Sequence, residues 1–227
     1  MMQGMACWGL ISAALLAGGN EDRPARELRE YGVWVDQTLS GKLELEIDER
    51  GADAVSVSFK TEVKHTFYKI YNYSYSLHGR EQWANGRLLS LRSEANDDGK
   101  KFRVQADLRG EENWVIVNDK KRASAEVTWT TLFWNLPDPE ALSGEVLILD
   151  VDTGAPLKAR LSPEKIESIE LSGKPRDCWH VRVTEPKVVD LWFDGRRRLV
   201  RQVSTEDGFA TEIRLKSIRN LATTRDR

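Results

Sequence analysis

Lys42-Leu43-Glu44-Leu45-Glu46-Ile47-Asp48 decides the fold. Leu43, Leu45 and Ile47 alternate with charged residues. Side chains on a strand point alternately to opposite faces, so this stretch is a half-buried β-strand with one face in water. The pattern recurs to the C-terminus in short runs that end in Gly, Asp or Asn, and no convincing long helix interrupts it. The expected class is all-β: a large curved antiparallel sheet or an open half-barrel, meander-like, with few or no long helices.

Working outward, Tyr31–Asp36 reads as a strand that leads to a turn at Ser40-Gly41. After a turn at Arg50-Gly51, Val55, Val57, Phe59 and Val63 stay in register with Phe67, Tyr71, Tyr73 and Tyr75, giving a long apolar face with a break or bulge near His65–Thr66. Asn85-Gly86 is a strong hairpin signal because both residues tolerate positive φ. Phe102, Val104, Ala106 and Leu108 alternate again, and Trp114–Val117 is a short apolar run. Pro137 and Pro139 mark a corner. Val146–Asp150 and Leu157–Leu161 form a hairpin around Asp152-Thr153-Gly154. Strands follow at Ile166–Leu171, Trp179–Val183, Val188–Phe193, Leu199–Val203 and Phe209–Leu215.

The chain has 227 residues, enough for one β-domain with its own core. Lys and Arg number 34 against 36 Asp and Glu, a net charge of −2, so bulk charge gives no nucleic-acid affinity. Lys120-Lys121-Arg122 and Arg196-Arg197-Arg198 sit beside turn signals and read as solvated loop charge.

Residues 1–19 carry no charged side chain, and Ala6–Ala17 is an apolar stretch too short to cross a bilayer comfortably. With small residues at Ala17-Gly18-Gly19, the segment reads as signal-peptide-like, with a mature N-terminus near Asn20. The expected address is export to the periplasm, cell envelope or medium, with no transmembrane span in the mature chain. Residues 20–30 read as a linker, 31–219 as a single β-domain, and 220–227 as a disordered tail. Removal of the leader leaves only Cys178, so no internal disulfide can form, and a buried inert thiol is expected.

Four constellations bear on chemistry. Asp152-Thr153-Gly154 looks like the active-site loop of aspartic proteases, where two carboxylates share a proton. No second Asp-Thr/Ser-Gly occurs, and Asp and Gly also suit a plain tight turn. Asp150-x-Asp152-x-Gly154 fails as a calcium loop because Leu161 stands where the bidentate acid belongs. Cys178 and His180 share a strand face roughly 6–7 Å apart, too far for a thiol–base pair unaided. Only His65 and His78 remain to join them around zinc, without ligand spacing, so no metal and no cofactor is expected. The fourth is the aromatic face Phe67, Tyr71, Tyr73, Tyr75 and Trp83. It reads as core, or as the wall of a site for an apolar small molecule or lipid.

Glu81-x-Trp83-x-x-Gly86-x-Leu88, Thr131-x-x-Trp134-Asn135, Leu149-x-x-x-Thr153-Gly154, and Trp192-Phe193-Asp194-Gly195 with Leu199-x-Arg201 and Asp207-Gly208 run in order along the chain. In this order they resemble an uncharacterised family of exported bacterial all-β proteins, known only as a domain of unknown function. Ser40-Gly41-Lys42 matches the Asp-Gly-Lys-x-x-Gly opening of such proteins only loosely. The resemblance implies a secreted or periplasmic β-domain and brings no activity or cofactor with it. The expectation is therefore an exported, non-enzymatic envelope protein with an apolar concave face. Its rivals are a hydrolase using Asp152 or Cys178, and an assembly protein pairing through a sheet edge.

Overall fold

The computed structural model describes residues 26–221, except 51, 52, 69, 111, 143, 144, 163, 164, 172 and 207. The first eight strands are β1 (Arg26–Val35), β2 (Thr38–Arg50), β3 (Ala54–Phe67), β4 (Tyr71–Ala84), β5 (Arg87–Asp97), β6 (Lys100–Asp107), β7 (Trp114–Val117) and β8 (Lys120–Ala123). The second eight are β9 (Trp129–Thr130), β10 (Val146–Leu149), β11 (Pro156–Leu161), β12 (Lys165–Leu171), β13 (Lys174–Glu185), β14 (Val189–Phe193), β15 (Leu199–Glu206) and β16 (Phe209–Asn220).

The neighbour order is β8-β7-β6-β5-β4-β3-β2-β1-β16-β15-β14-β13-β11-β10-β9, with β12 beside β13 off that path. Every pairing is antiparallel except β9 with β10. The two halves of the chain are thus meanders joined where β1 meets β16, and β8 and β9 are the unjoined ends of an open sheet.

The opening heptapeptide lies in β2, with Leu43, Leu45 and Ile47 all buried. Each pairs with an inward residue of β3 or β1, such as Phe59 opposite Leu45 and Tyr31 opposite Leu43. Charges such as Glu44, Glu46, Lys60 and Glu62 alternate with them on the outer face. A membrane-spanning barrel has the reverse polarity, apolar outside. Among the described residues no helix is long and apolar enough to cross a membrane.

The concave face is filled by the chain itself. From Val127 to Leu142 the polypeptide runs across it, burying Trp129, Leu132, Phe133 and Leu136, and Val151 is buried beside them. Trp134 meets Trp83 of β4 edge-to-face at 6.1 Å, and Trp129 lies 5.9 Å from Phe193 of β14. The Ser93 hydroxyl of β5 donates to the Val151 carbonyl. The Pro137–Pro139 corner belongs to this crossing.

The structure corrects four readings. Residues 26–30, expected within a linker, are strand: Glu27 and Arg29 point inward as a buried ion pair at 2.5 Å, and charge at inward positions hid the alternation. The single register from Val55 to Tyr75 is two strands. Phe67 opposes Tyr71 across the turn, and the three residues between them keep odd positions inward on both strands, which is why the pattern looked continuous. No glycine marks that turn; Tyr68 itself takes φ 51°. Lys120-Lys121-Arg122 lies in edge strand β8, not in a loop. Arg197 and Arg198 are half-buried: Arg197 donates to the Leu136 and Pro137 carbonyls, and Arg198 pairs with Asp194 at 2.7 Å. The signal-like segment and the C-terminal residues from 222 lie outside the described residues.

Candidate functional site

The five aromatic residues singled out from sequence share the inward register of β3 and β4 but separate into two environments. Trp83 is buried, its indole N–H donating to Glu81 Oε2 at 2.7 Å. It belongs to the packed core. Tyr75 is half-buried, and its hydroxyl donates to Asp152 Oδ2 at 3.2 Å. Beyond it, towards the β3–β4 turn, the face opens.

Tyr73 donates to Asp97 Oδ1 at 2.7 Å, and Tyr71, 51 % exposed, donates to an Asp98 carboxylate oxygen. Phe67 packs 4.1 Å from Phe209, which belongs to the β15–β16 hairpin. Tyr68 and Ile70 stand 82 % and 86 % exposed at the turn. The result is an aromatic rim at one end of the concave face, built by two hairpins far apart in sequence. The Tyr71, Tyr73 and Tyr75 hydroxyls are each taken up by an aspartate, so these rings are left to make apolar contacts.

Below the rim sits the Asp-Thr-Gly turn. Burial first, and then the neighbouring Asp150 carboxyl, push Asp152 up to about 8. The Asp152 N–H donates to Asp150 Oδ1, the Gly154 N–H donates to the Asp150 carbonyl, and Arg122 donates to the Gly154 carbonyl. Burial likewise holds the Tyr75 phenol above its ordinary value. The two carboxyls belong to one turn and close it, where the protease mechanism needs them on two facing loops.

Cys178 is buried against Ile169, Trp192 and Val200 on the outer side of the sheet. Burial raises its thiol, the opposite of what a nucleophile needs. His180 is engaged elsewhere, with Nε2 2.7 Å from Asp190 and its ring stacked on Trp192 at 4.6 Å. Among the described residues no group of His, Cys, Asp and Glu is arranged to hold a metal.

Sequence reasoning missed several participants. Phe209 was read only as the first residue of a strand and nothing in the alternation singled out Tyr68, Ile70, Asp97 or Asp98; only the hairpin geometry brings them together. Glu81 was noted only as part of a motif. It is fully buried, which pushes its carboxyl up to about 7 despite Trp83, Thr130 and Trp134 beside it. Its odd, inward position in β4 was the available signal.

A family model described as Domain of unknown function (DUF6134) matches residues 31–216. The chain belongs to that family. Of the motif residues quoted from the sequence, Glu81 and Trp83 of β4 meet Trp134 of the crossing segment, while the Thr131 hydroxyl accepts from the Val151 N–H. Among solved structures the chain is similar to a β-barrel-like protein of domain of unknown function DUF1849 from Brucella abortus. The TM-score is 0.62 at 10% identity, covering 88% of this chain and 100% of that one. A DUF1329 family protein from Desulfovibrio piger ATCC 29098 aligns over 88% of this chain and 87% of that one, at 10% identity and a TM-score of only 0.16. The first likeness shows the fold; the second carries no weight. No curated protein matches the sequence.

Proposed function

We propose that this protein is an exported, non-enzymatic component of the bacterial cell envelope that holds an acyl chain against the aromatic rim of its sheet. The observation that carries the reading is the tyrosine–aspartate pairing. With Tyr71 and Tyr73 hydroxyls occupied by Asp98 and Asp97, the rim offers carbon surface, and exposed Ile70 and Tyr68 extend it. Exposed apolar residues clustered at one turn, where Leu39, Ile166 and Val188 stand singly elsewhere, support the reading of a binding surface. Export is supported by the apolar, uncharged segment before Asn20.

Edge pairing is less well supported, since β8 presents Lys120, Lys121 and Arg122 at the open edge, a device that blocks strand addition. The test is titration with an environment-sensitive fluorescent fatty acid. Saturable binding is expected, weakened at least tenfold by Ile70→Ser with Tyr71→Ser at unchanged thermal stability. Absence of binding, or binding indifferent to both substitutions, would remove the rim from the account.

A further inference from the structure

On the outer face of β3–β6 two arginines face each other with no carboxylate of the described residues paired to either. Arg80 of β4 and Arg92 of β5 are direct cross-strand partners, and like charges placed opposite each other on a sheet destabilise it. The other two arginines that stand opposite each other, Arg201 of β15 and Arg214 of β16, share the Glu212 carboxylate, and Arg87, Arg103, Arg109 and Arg182 pair with Glu126, Glu94, Asp107 and Asp190. Arg80 reaches only the Ser58 hydroxyl, at 3.1 Å. Arg92 has no hydrogen bond or ion pair to any described residue. Arg176 also lacks a carboxylate among the described residues but stands opposite Ile169, whereas Arg80 and Arg92 bring two such charges together in a chain of net charge −2.

The pair also lies in a hollow. Its volume is ≈ 630 Å³, and Ser58, Arg80, Arg92, Arg103 and Gln105 line it. A second hollow of ≈ 420 Å³ shares His78, Glu94 and Arg103 with it and adds Lys101. Gly79 backs the hollow from the inner side of β4. A Cβ there would meet the Arg92 carbonyl at 2.4 Å and the Phe59 ring at 2.5 Å. The absence of a side chain there lets β4 lie close against β3 and β5.

We infer that this groove is a binding site for a phosphate-bearing anion, held by the Arg80 and Arg92 guanidinium groups with Ser58 and Gln105 at its margin. Two guanidinium forks facing one another match the several acceptor oxygens of a phosphate, and occupancy turns the repulsion between them into attraction. The anion is either a soluble phosphorylated molecule or the headgroup of an acidic phospholipid. The site is separate from the aromatic rim and stands without it.

The full chain is titrated with inorganic phosphate by calorimetry at low ionic strength, and separately sedimented with phosphatidylglycerol or phosphatidylcholine vesicles. One saturable phosphate site is expected, weakened at least tenfold in Arg80→Gln and in Arg92→Gln and unchanged in Arg87→Gln. Arg92→Gln without ligand should melt at or above the wild-type temperature, and phosphate should raise the wild-type midpoint only. Sedimentation with phosphatidylglycerol but not phosphatidylcholine, lost in Arg92→Gln, assigns a headgroup; phosphate binding without sedimentation assigns a soluble ligand. No saturable binding in either arm, or binding that survives both substitutions, overturns the site. Vesicle binding lost in Ile70→Ser but kept in Arg92→Gln speaks for the rim alone and also overturns it.

Discussion

Glu81 and Asp152 give the fold a pH dependence whose sign follows from burial. The Glu81 carboxyl titrates at an ordinary 4.5 when exposed and at about 7 in the folded protein. Between those values the folded state holds a proton that the unfolded chain has released. Stability therefore falls as pH rises through the window and levels off above it. Asp152, pushed up to about 8, adds in the same sense. Glu81→Gln keeps the shape and removes the titration. It should stabilise the protein at pH 8 by up to ~3 kcal/mol relative to wild type and flatten the pH 5–7 slope. Urea midpoints across pH read this directly; an unchanged slope would mean that Glu81 is ionised in place. Asn85 and Gly86, at φ 51° and 71°, form the hairpin bend expected from their sequence. Gly86→Val meets no neighbour within 4 Å, so its cost is backbone strain alone, about 1 kcal/mol or more, seen as a lowered denaturant midpoint.

At the scale of elements, alternation made most strands readable wherever one face was apolar, as in Leu43–Ile47 and Phe102–Ala106. It failed where polar residues face inward, as at Glu27 and Arg29, whose burial depends on each other and on the Trp134 carbonyl that Arg29 donates to. It failed again at Tyr68, where an odd-length turn preserved parity and no glycine announced it. The rim was half legible: Phe67, Tyr71 and Tyr73 could be read from one strand pattern, while Phe209 enters through tertiary packing alone. The crossing segment was visible only as a proline corner, because apolar loop residues have no period to detect. Its structural weight is testable. Trp129 is 1% exposed, and its indole N–H donates to the Asn135 carbonyl at 3.0 Å. Trp129→Ala should cost about 3–5 kcal/mol in chemical unfolding, as for a large core truncation. A loss below about 1 kcal/mol, within the range of surface substitutions, would show that the segment merely lies on the sheet.

For the whole molecule, sixteen strands in one open sheet place a self-filled interior, an aromatic rim at one end and a charged outer surface on a single frame. Because the interior is filled, the proposed ligand site lies at the rim and not in the depth of the concave face. The proposed export rests on the N-terminal segment, and sequencing the N-terminus of native protein should find it beginning near Asn20. The central claim, that the rim holds an acyl chain in the envelope, is tested most directly by mass spectrometry of small molecules extracted from protein purified out of its native envelope. Acyl lipids should be retained by the wild type and lost from Ile70→Ser with Tyr71→Ser. Equal lipid content in both proteins, or none above that of an unrelated exported protein handled alongside, would contradict the claim.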